Sequence, residues 1–203
     1  MPCPYIFQYK MEISEQKKLV RAEVNARMKR MSKEGLAGIS RTISERVLAL
    51  PEVSVAKVLF GFMPMPDEVD VTPVLQSFLD SGKRVCVPHT IIYHRYMQPV
   101  EVTNLETDFA PGAYGILEPV VREQVDISEI DLALIPGRAF DRKGSRMGRG
   151  AGFYDRFVAR EGFGATRIAA AFDLQIVDEV PTDKYDRPVE IIVTESAVYH
   201  FTT

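Results

Sequence analysis

Apolar residues first recur along this chain at helical spacing. Between Ser14 and Met31, the positions Val20, Val24, Met28 and Met31 fall on one face, and Ser14 stands where a cap is needed. Ile39, Ile43, Val47 and Leu50 mark a second helix over Leu36–Leu50, which Pro51 should end. The rhythm then changes. Val55–Phe62 is a continuous apolar run, the pattern of a strand buried on both faces. Thr72-Pro73 reads as a cap and a first-turn proline before Val74, Leu75, Phe78 and Leu79, and Gly82 stops that helix. Short strands are predicted at Arg84–Val87, Tyr96–Val100, Asp131–Ile135, Ile168–Phe172 and Glu190–Val193, with a helix over Phe153–Glu161. Buried strands alternating with helices predict a three-layer α/β fold: an open, mostly parallel sheet, helices on both faces and a helical N-terminal extension. No repeat or linker divides the chain, so residues 1–203 are expected to form a single domain.

Composition narrows the class. At 203 residues and 46% hydrophobic, the chain can bury a full core without disulfide or metal staples. Its cysteines are Cys3 and Cys86, in no zinc-like spacing, and Cys86 within Val85-Cys86-Val87 reads as a core thiol. That usage suits a reducing compartment, so a cytoplasmic protein is expected. No stretch approaches the ~20 apolar residues of a bilayer span, and the first ten residues carry no cleavage signature. A net charge of −3 argues against nucleic acid as a partner. His89, His94 and His200 form no pairing pattern and are given no role.

Locally the charge is very different. Five basic residues (Arg138, Arg142, Lys143, Arg146, Arg149) and one acid, Asp141, lie between Gly137 and Gly150. This segment leaves a predicted buried strand and enters a predicted helix, the place where open α/β sheets bind ligands. Gly144, Gly148, Gly150 and Gly152 allow close backbone approach, and a helix start favours an anion. Arginine forks suit phosphate oxygens. Together they describe a polyphosphate cradle, although neither GxGxxG nor GxxxxGK followed by Ser or Thr is present. Asp155 reads equally as a first-turn acid facing the helix dipole or as an oxygen ligand for phosphate-borne Mg²⁺.

The run Pro136-Gly137-x-Ala139-Phe140-Asp141, followed by Gly144-x-Arg146-Met147-Gly148-Arg149-Gly150-Ala151-Gly152-Phe153-Tyr154-Asp155-Arg156, closely resembles the signature of the 5-formyltetrahydrofolate cyclo-ligase family. Lys17-x-x-x-Arg21, Tyr114-Gly115-Ile116-x-Glu118-Pro119 and Pro188–Glu195 agree in order and spacing. The resemblance implies Mg·ATP-dependent closure of 5-formyltetrahydrofolate to 5,10-methenyltetrahydrofolate, with release of ADP and phosphate. In it the formyl oxygen accepts the γ-phosphoryl group and the neighbouring folate nitrogen then attacks the activated carbon. Carried over residue by residue, it makes Lys17, Arg21 and Arg146 through Tyr154 (Met147, Gly148, Arg149, Gly150, Ala151, Gly152 and Phe153 between them) the ATP site. Met63, Glu68 and Arg149 through Phe153 become the folate site, Arg149 and Tyr154 the catalytic pair, and Asp155 and Glu190 the magnesium carboxylates. Ala151, Phe153 and Glu190 depart from commoner family residues. A monomer acting on folate and ATP is the expectation; a ligase for another heterocycle and a non-catalytic nucleotide-binding relative are the alternatives.

Overall fold

The computed structural model describes residues 11–111, 117–121 and 123–201. Cys3, the apolar patch at the amino terminus and Tyr114-Gly115-Ile116 lie outside them. Helix α1 (Ile13–Met28) starts after Glu12, so Ser14 lies in its first turn rather than at its cap. Helix α2 (Lys33–Leu48) starts before the first apolar position because Ser32 accepts a hydrogen bond from the Gly35 N–H at 3.0 Å. Pro51 does more than end it: with its φ fixed, it opens a further short helix, α3 (Pro51–Val55). Val55 is 77% exposed, and the first strand is therefore only β1 (Val58–Phe60). Helix α4 (Thr72–Asp80) follows.

The main sheet contains β1, β2 (Arg84–Ile91), β3 (Tyr96–Val102), β6 (Leu132–Leu134), β9 (Thr166–Ala170), β11 (Ile191–Val193) and β12 (Val198–His200). Their order is β12-β11-β9-β6-β1-β2-β3. The five inner strands are parallel, and β3 and β12 close the two edges antiparallel. Two small sheets flank it: β4 (Phe109–Pro111) with β5 (Leu117–Pro119), and a hairpin of β7 (Ala139–Asp141) and β8 (Arg146–Met147) to which β10 (Ile176–Val177) pairs.

Strand alternation divides the core into two layers. Leu59, Val85, Leu132, Ile168 and Ile191 face one way and pack on Val24, Met28, Ile43, Val47, Val74 and Leu75 of α1, α2 and α4. Phe60, Cys86, Ala133, Ala169 and Ile192 face the other way, onto Phe157 of α5 (Phe153–Val158) and Ile127. Fully burying such a side chain is worth ~1.5–3 kcal/mol, so both helix layers are held by many small terms. Because Val24 is fully buried in the same cluster as α2, the expected extension is an integral part of its layer.

On α2 the buried stripe includes Ser40 and Ser44, which apolar periodicity passes over. Ser44 donates to the Asp70 carbonyl at 2.8 Å, and the Asp70 N–H donates to Ser40 at 3.1 Å. These bonds pin the loop that follows β1 against α2.

Candidate functional site

The loop after β6 folds into the β7–β8 hairpin, and one buried carboxylate shapes its turn. Asp141 is 1% exposed; its Oδ1 accepts from the N–H groups of Lys143 and Ser145, and its Oδ2 from that of Val180. Past β8 the chain runs through Gly148–Gly152 into α5. Gly150 (φ 114°) and Gly152 (φ 67°) hold left-handed backbone that other residues adopt only with strain, and Gly152 is the cap of α5.

Two arginines of this region are buried and tied at both ends. Arg138 donates to Asp67 Oδ2 at 2.7 Å and to Asn25 Oδ1 of α1. Arg146, 3% exposed, donates to the Pro136 carbonyl at 3.1 Å and to Asp155 Oδ1, and its buried Nε has no hydrogen-bond partner among the described residues. A charged donor left open in a buried position is a place for an anion to complete the network.

A cavity of about 460 Å³ opens at the carboxyl ends of β1, β2 and β6. Met63 and Glu68 from the loop after β1, together with Arg146, Gly148, Arg149, Ala151, Gly152, Phe153, Tyr154 and Asp155, line it. Phe109 and Glu118 of the β4–β5 ribbon close one side. Glu68 Oε2 accepts from the Met65 N–H at 3.0 Å and Oε1 from Arg149 Nε at 3.2 Å. Arg149 also pairs with Asp67. Tyr154 packs edge-on to Phe60 with centroids 6.4 Å apart. Burial, and then the nearby Glu68 charge, push its phenol well above the ordinary tyrosine value, so at neutral pH it is a hydrogen-bond donor.

A second cavity of about 370 Å³ lies on the α1 side, lined by Arg21, Asn25, Met28, Lys29, Leu36, Asp67, Arg138 and Arg149. Arg149 therefore stands between the two. Arg21 reaches the glycine loop, with Nε donating to the Gly148 carbonyl at 3.2 Å. Lys17, one turn earlier, is held by Asp183 at 2.8 Å and Asp186 at 2.6 Å. Against the desolvation of burial, these carboxylates raise the Lys17 pKa above its ordinary 10.5.

The sequence-predicted residues are thus mostly brought together, with exceptions. Met147 is 2% exposed and belongs to the core. Glu190 does not join Asp155 as a magnesium carboxylate. It precedes β11, at the amino end of the sheet, and Arg167 of β9 donates to both its oxygens. Asp155 keeps one oxygen in use by Arg146 and the Arg187 N–H, and among the described residues its Oδ2 accepts no hydrogen bond. No group of three metal-ligating side chains occurs among the described residues. Magnesium commonly needs only one or two carboxylates when substrate phosphates supply the rest, so Asp155 beside the arginine-rich glycine loop fits it. Sequence reasoning missed Asn25, Asp67 and Asp186. Their only signal was polarity beside residues already singled out.

Fold and site define an open α/β domain with a cavity at the carboxyl ends of its parallel strands, next to an arginine-rich glycine loop. The chain belongs to the 5-formyltetrahydrofolate cyclo-ligase family, whose sequence profile matches residues 13–195. A 5-formyltetrahydrofolate cyclo-ligase of Mus musculus is 27% identical over 195 residues, covering 91% of this chain and 96% of that protein. The Escherichia coli (strain K12) cyclo-ligase is 26% identical over 188 residues, covering 88% of this chain and all of the relative, 100%. The NMR structure of Aquifex aeolicus 5,10-methenyltetrahydrofolate synthetase superposes with a TM-score of 0.79 at 30% identity, over 95% of this chain and 94% of that one. No helix among the described residues is long and apolar enough to cross a membrane.

Proposed function

We propose that this protein closes 5-formyltetrahydrofolate to 5,10-methenyltetrahydrofolate at the larger cavity, using ATP held by the glycine loop. The observation that carries the reading is that one cavity combines Glu68, a carboxylate suited to paired N–H groups of a pterin, with Arg146, Arg149 and Gly148, Ala151 and Gly152 of the glycine loop. ATP with Mg²⁺ would supply a phosphoryl group that turns the formyl oxygen into a leaving group.

The chain's own part is positioning and charge neutralisation. Arg146 is preorganised by Pro136 and Asp155 with Nε open to an anion, and Arg149 stands where the two cavities meet. Tyr154, kept protonated, can donate to an oxygen that gains charge during transfer. Met63, Phe109 and Phe153 give the cavity apolar walls that exclude water from the activated carbon. Asp155 would hold the metal through its open oxygen, and Arg21 would meet the phosphates from α1.

The test is direct. Purified protein with Mg·ATP and 5-formyltetrahydrofolate should develop the near-ultraviolet absorbance of a methenyl folate with stoichiometric ADP. ADP release with a different formylated heterocycle, and none with this folate, would replace the substrate assignment.

A further inference from the structure

Asp67 has no role in the reading above, yet it lies at the centre of the side chains that separate the two cavities. Its Oδ2 accepts from Arg138 Nη1 at 2.7 Å, and its Oδ1 from Arg149 Nη2. Glu68, next in the chain, accepts from Arg149 Nε at 3.2 Å. Two consecutive carboxylates therefore hold one guanidinium, through its Nε and Nη2. The far end of the arrangement is fixed: the Arg138 side chain is 7% exposed and also donates to Asn25 of α1. The loop carrying Asp67 is itself pinned to α2 through Asp70.

A half-exposed arginine–carboxylate pair standing alone would contribute little. A carboxylate shared between a buried, anchored guanidinium and a more exposed one does something else: it sets where the exposed one points. Against the desolvation it suffers, Arg149 and Arg138 hold the Asp67 carboxyl below the usual aspartate value, in keeping with a permanently ionised bridge.

We propose that Asp67 is the positioning residue for Arg149, holding its guanidinium at the wall shared by the two cavities. The proposal rests on the cyclo-ligase reading for its consequence, since it places Arg149 where phosphoryl donor and folate would meet. It also explains why two acids stand side by side. Once Glu68 turns its carboxylate to the pterin, Asp67 is what still restrains Arg149. A donor that stabilises transition-state charge works only if it is oriented beforehand.

Two measurements decide it. In the ligand-free protein, the resonance of the Arg149 Nη2–H that Asp67 accepts, assigned by its loss in Arg149→Lys, should exchange slowly with water in the wild type. It should collapse into fast exchange in Asp67→Asn; unchanged protection would overturn the proposal. With 5-formyltetrahydrofolate and Mg·ATP, Asp67→Asn should lower kcat about tenfold or more, about 1.4 kcal/mol, with either KM within about threefold. The same substitution in an Arg149→Ala background should cost nothing further, because both act through one group. Additive losses, or an unchanged kcat, would show that Asp67 only supports the fold. If Asp67→Asn does not fold, Asp67→Glu takes its place, with intermediate protection and the same non-additivity expected. An inactive wild type would defeat the cyclo-ligase reading while leaving the exchange measurement to judge Asp67.

Discussion

Arg149 is the side chain on which most of the proposed chemistry depends, and its surroundings make its contribution measurable. It is 40% exposed and anchored by acids rather than by packing, so its removal should barely disturb folding. Arg149→Ala is expected to lower kcat by ~10²–10³, the usual effect of deleting a preorganised charge-stabilising donor. Steady-state methenyl formation beside a thermal melt checks both halves of that statement. Glu68→Gln should weaken folate binding several-fold and leave nucleotide affinity nearly intact, as read by calorimetry with each ligand alone; the opposite pattern would exchange the two sites. Residue types of this kind were legible in the sequence because glycines and arginines at close spacing have few other uses between a strand and a helix. Asp67 and Asn25 were not legible. Their importance comes from Arg138, which the chain brings to them across 71 and 113 residues.

At the scale of elements, α1 and the glycine loop meet through Arg21, whereas Lys17 is committed to the Asp183–Asp186 turn. The helical spacing of Lys17 and Arg21 correctly placed them on one face, but spacing says nothing about which acids will face them. Their roles should therefore separate. Arg21→Gln should raise the KM for ATP about tenfold, roughly 1.4 kcal/mol, and remove most of the thermal stabilisation by Mg·ATP. Lys17→Gln should act mainly on stability. The Lys17 pKa is raised in the folded protein, so its contribution is fully present below about pH 10.5 and is lost as pH rises through the higher folded value. Asp183 is lowered, chiefly by its hydrogen bond from Lys17, so the same contribution fades again as pH falls below about 3.8. Denaturation of wild type and Lys17→Gln from acid to alkali should show a difference that is flat at neutral pH and closes at both ends. Glu190 teaches the complementary lesson: a carboxylate just before a strand and one just after it lie at opposite ends of a parallel sheet, and sequence proximity to a motif does not reveal which.

For the whole molecule, the alternation of buried strands and helices was enough to predict the layers, because an inner parallel strand must be apolar on both faces. The antiparallel direction of the edges escaped prediction because a strand pattern carries no direction. The small β4–β5 and β7–β8 ribbons escaped because two- and three-residue strands off the main sheet leave no periodicity to read. These ribbons wall the cavity, so the part of the site least visible in sequence is its enclosure rather than its charged groups. The enclosure depends on the core behind it. Phe157 of α5 is 2% exposed, stacks on Phe60 at the end of β1 with centroids 4.4 Å apart, and meets Phe163 edge-on at 5.6 Å. Helix α5 has six residues and no side-chain cap, too little to hold itself in place. Phe157 is thus the main core anchor of the helix that carries Tyr154 and Asp155, beside the contacts of Asp155 with Arg146 and the Arg187 N–H. Phe157→Ala should cost ~3–5 kcal/mol of stability, the range for a large buried aromatic. Below its lowered melting temperature the variant should also show weaker binding of both folate and Mg·ATP, because the residues for each hang on the same short helix. Phe157→Leu should recover much of the stability and most of the binding. A variant destabilised to this extent but with wild-type affinities for both ligands would show that the glycine loop holds α5 without the stack, and would move the anchor of the site from the core to the loop.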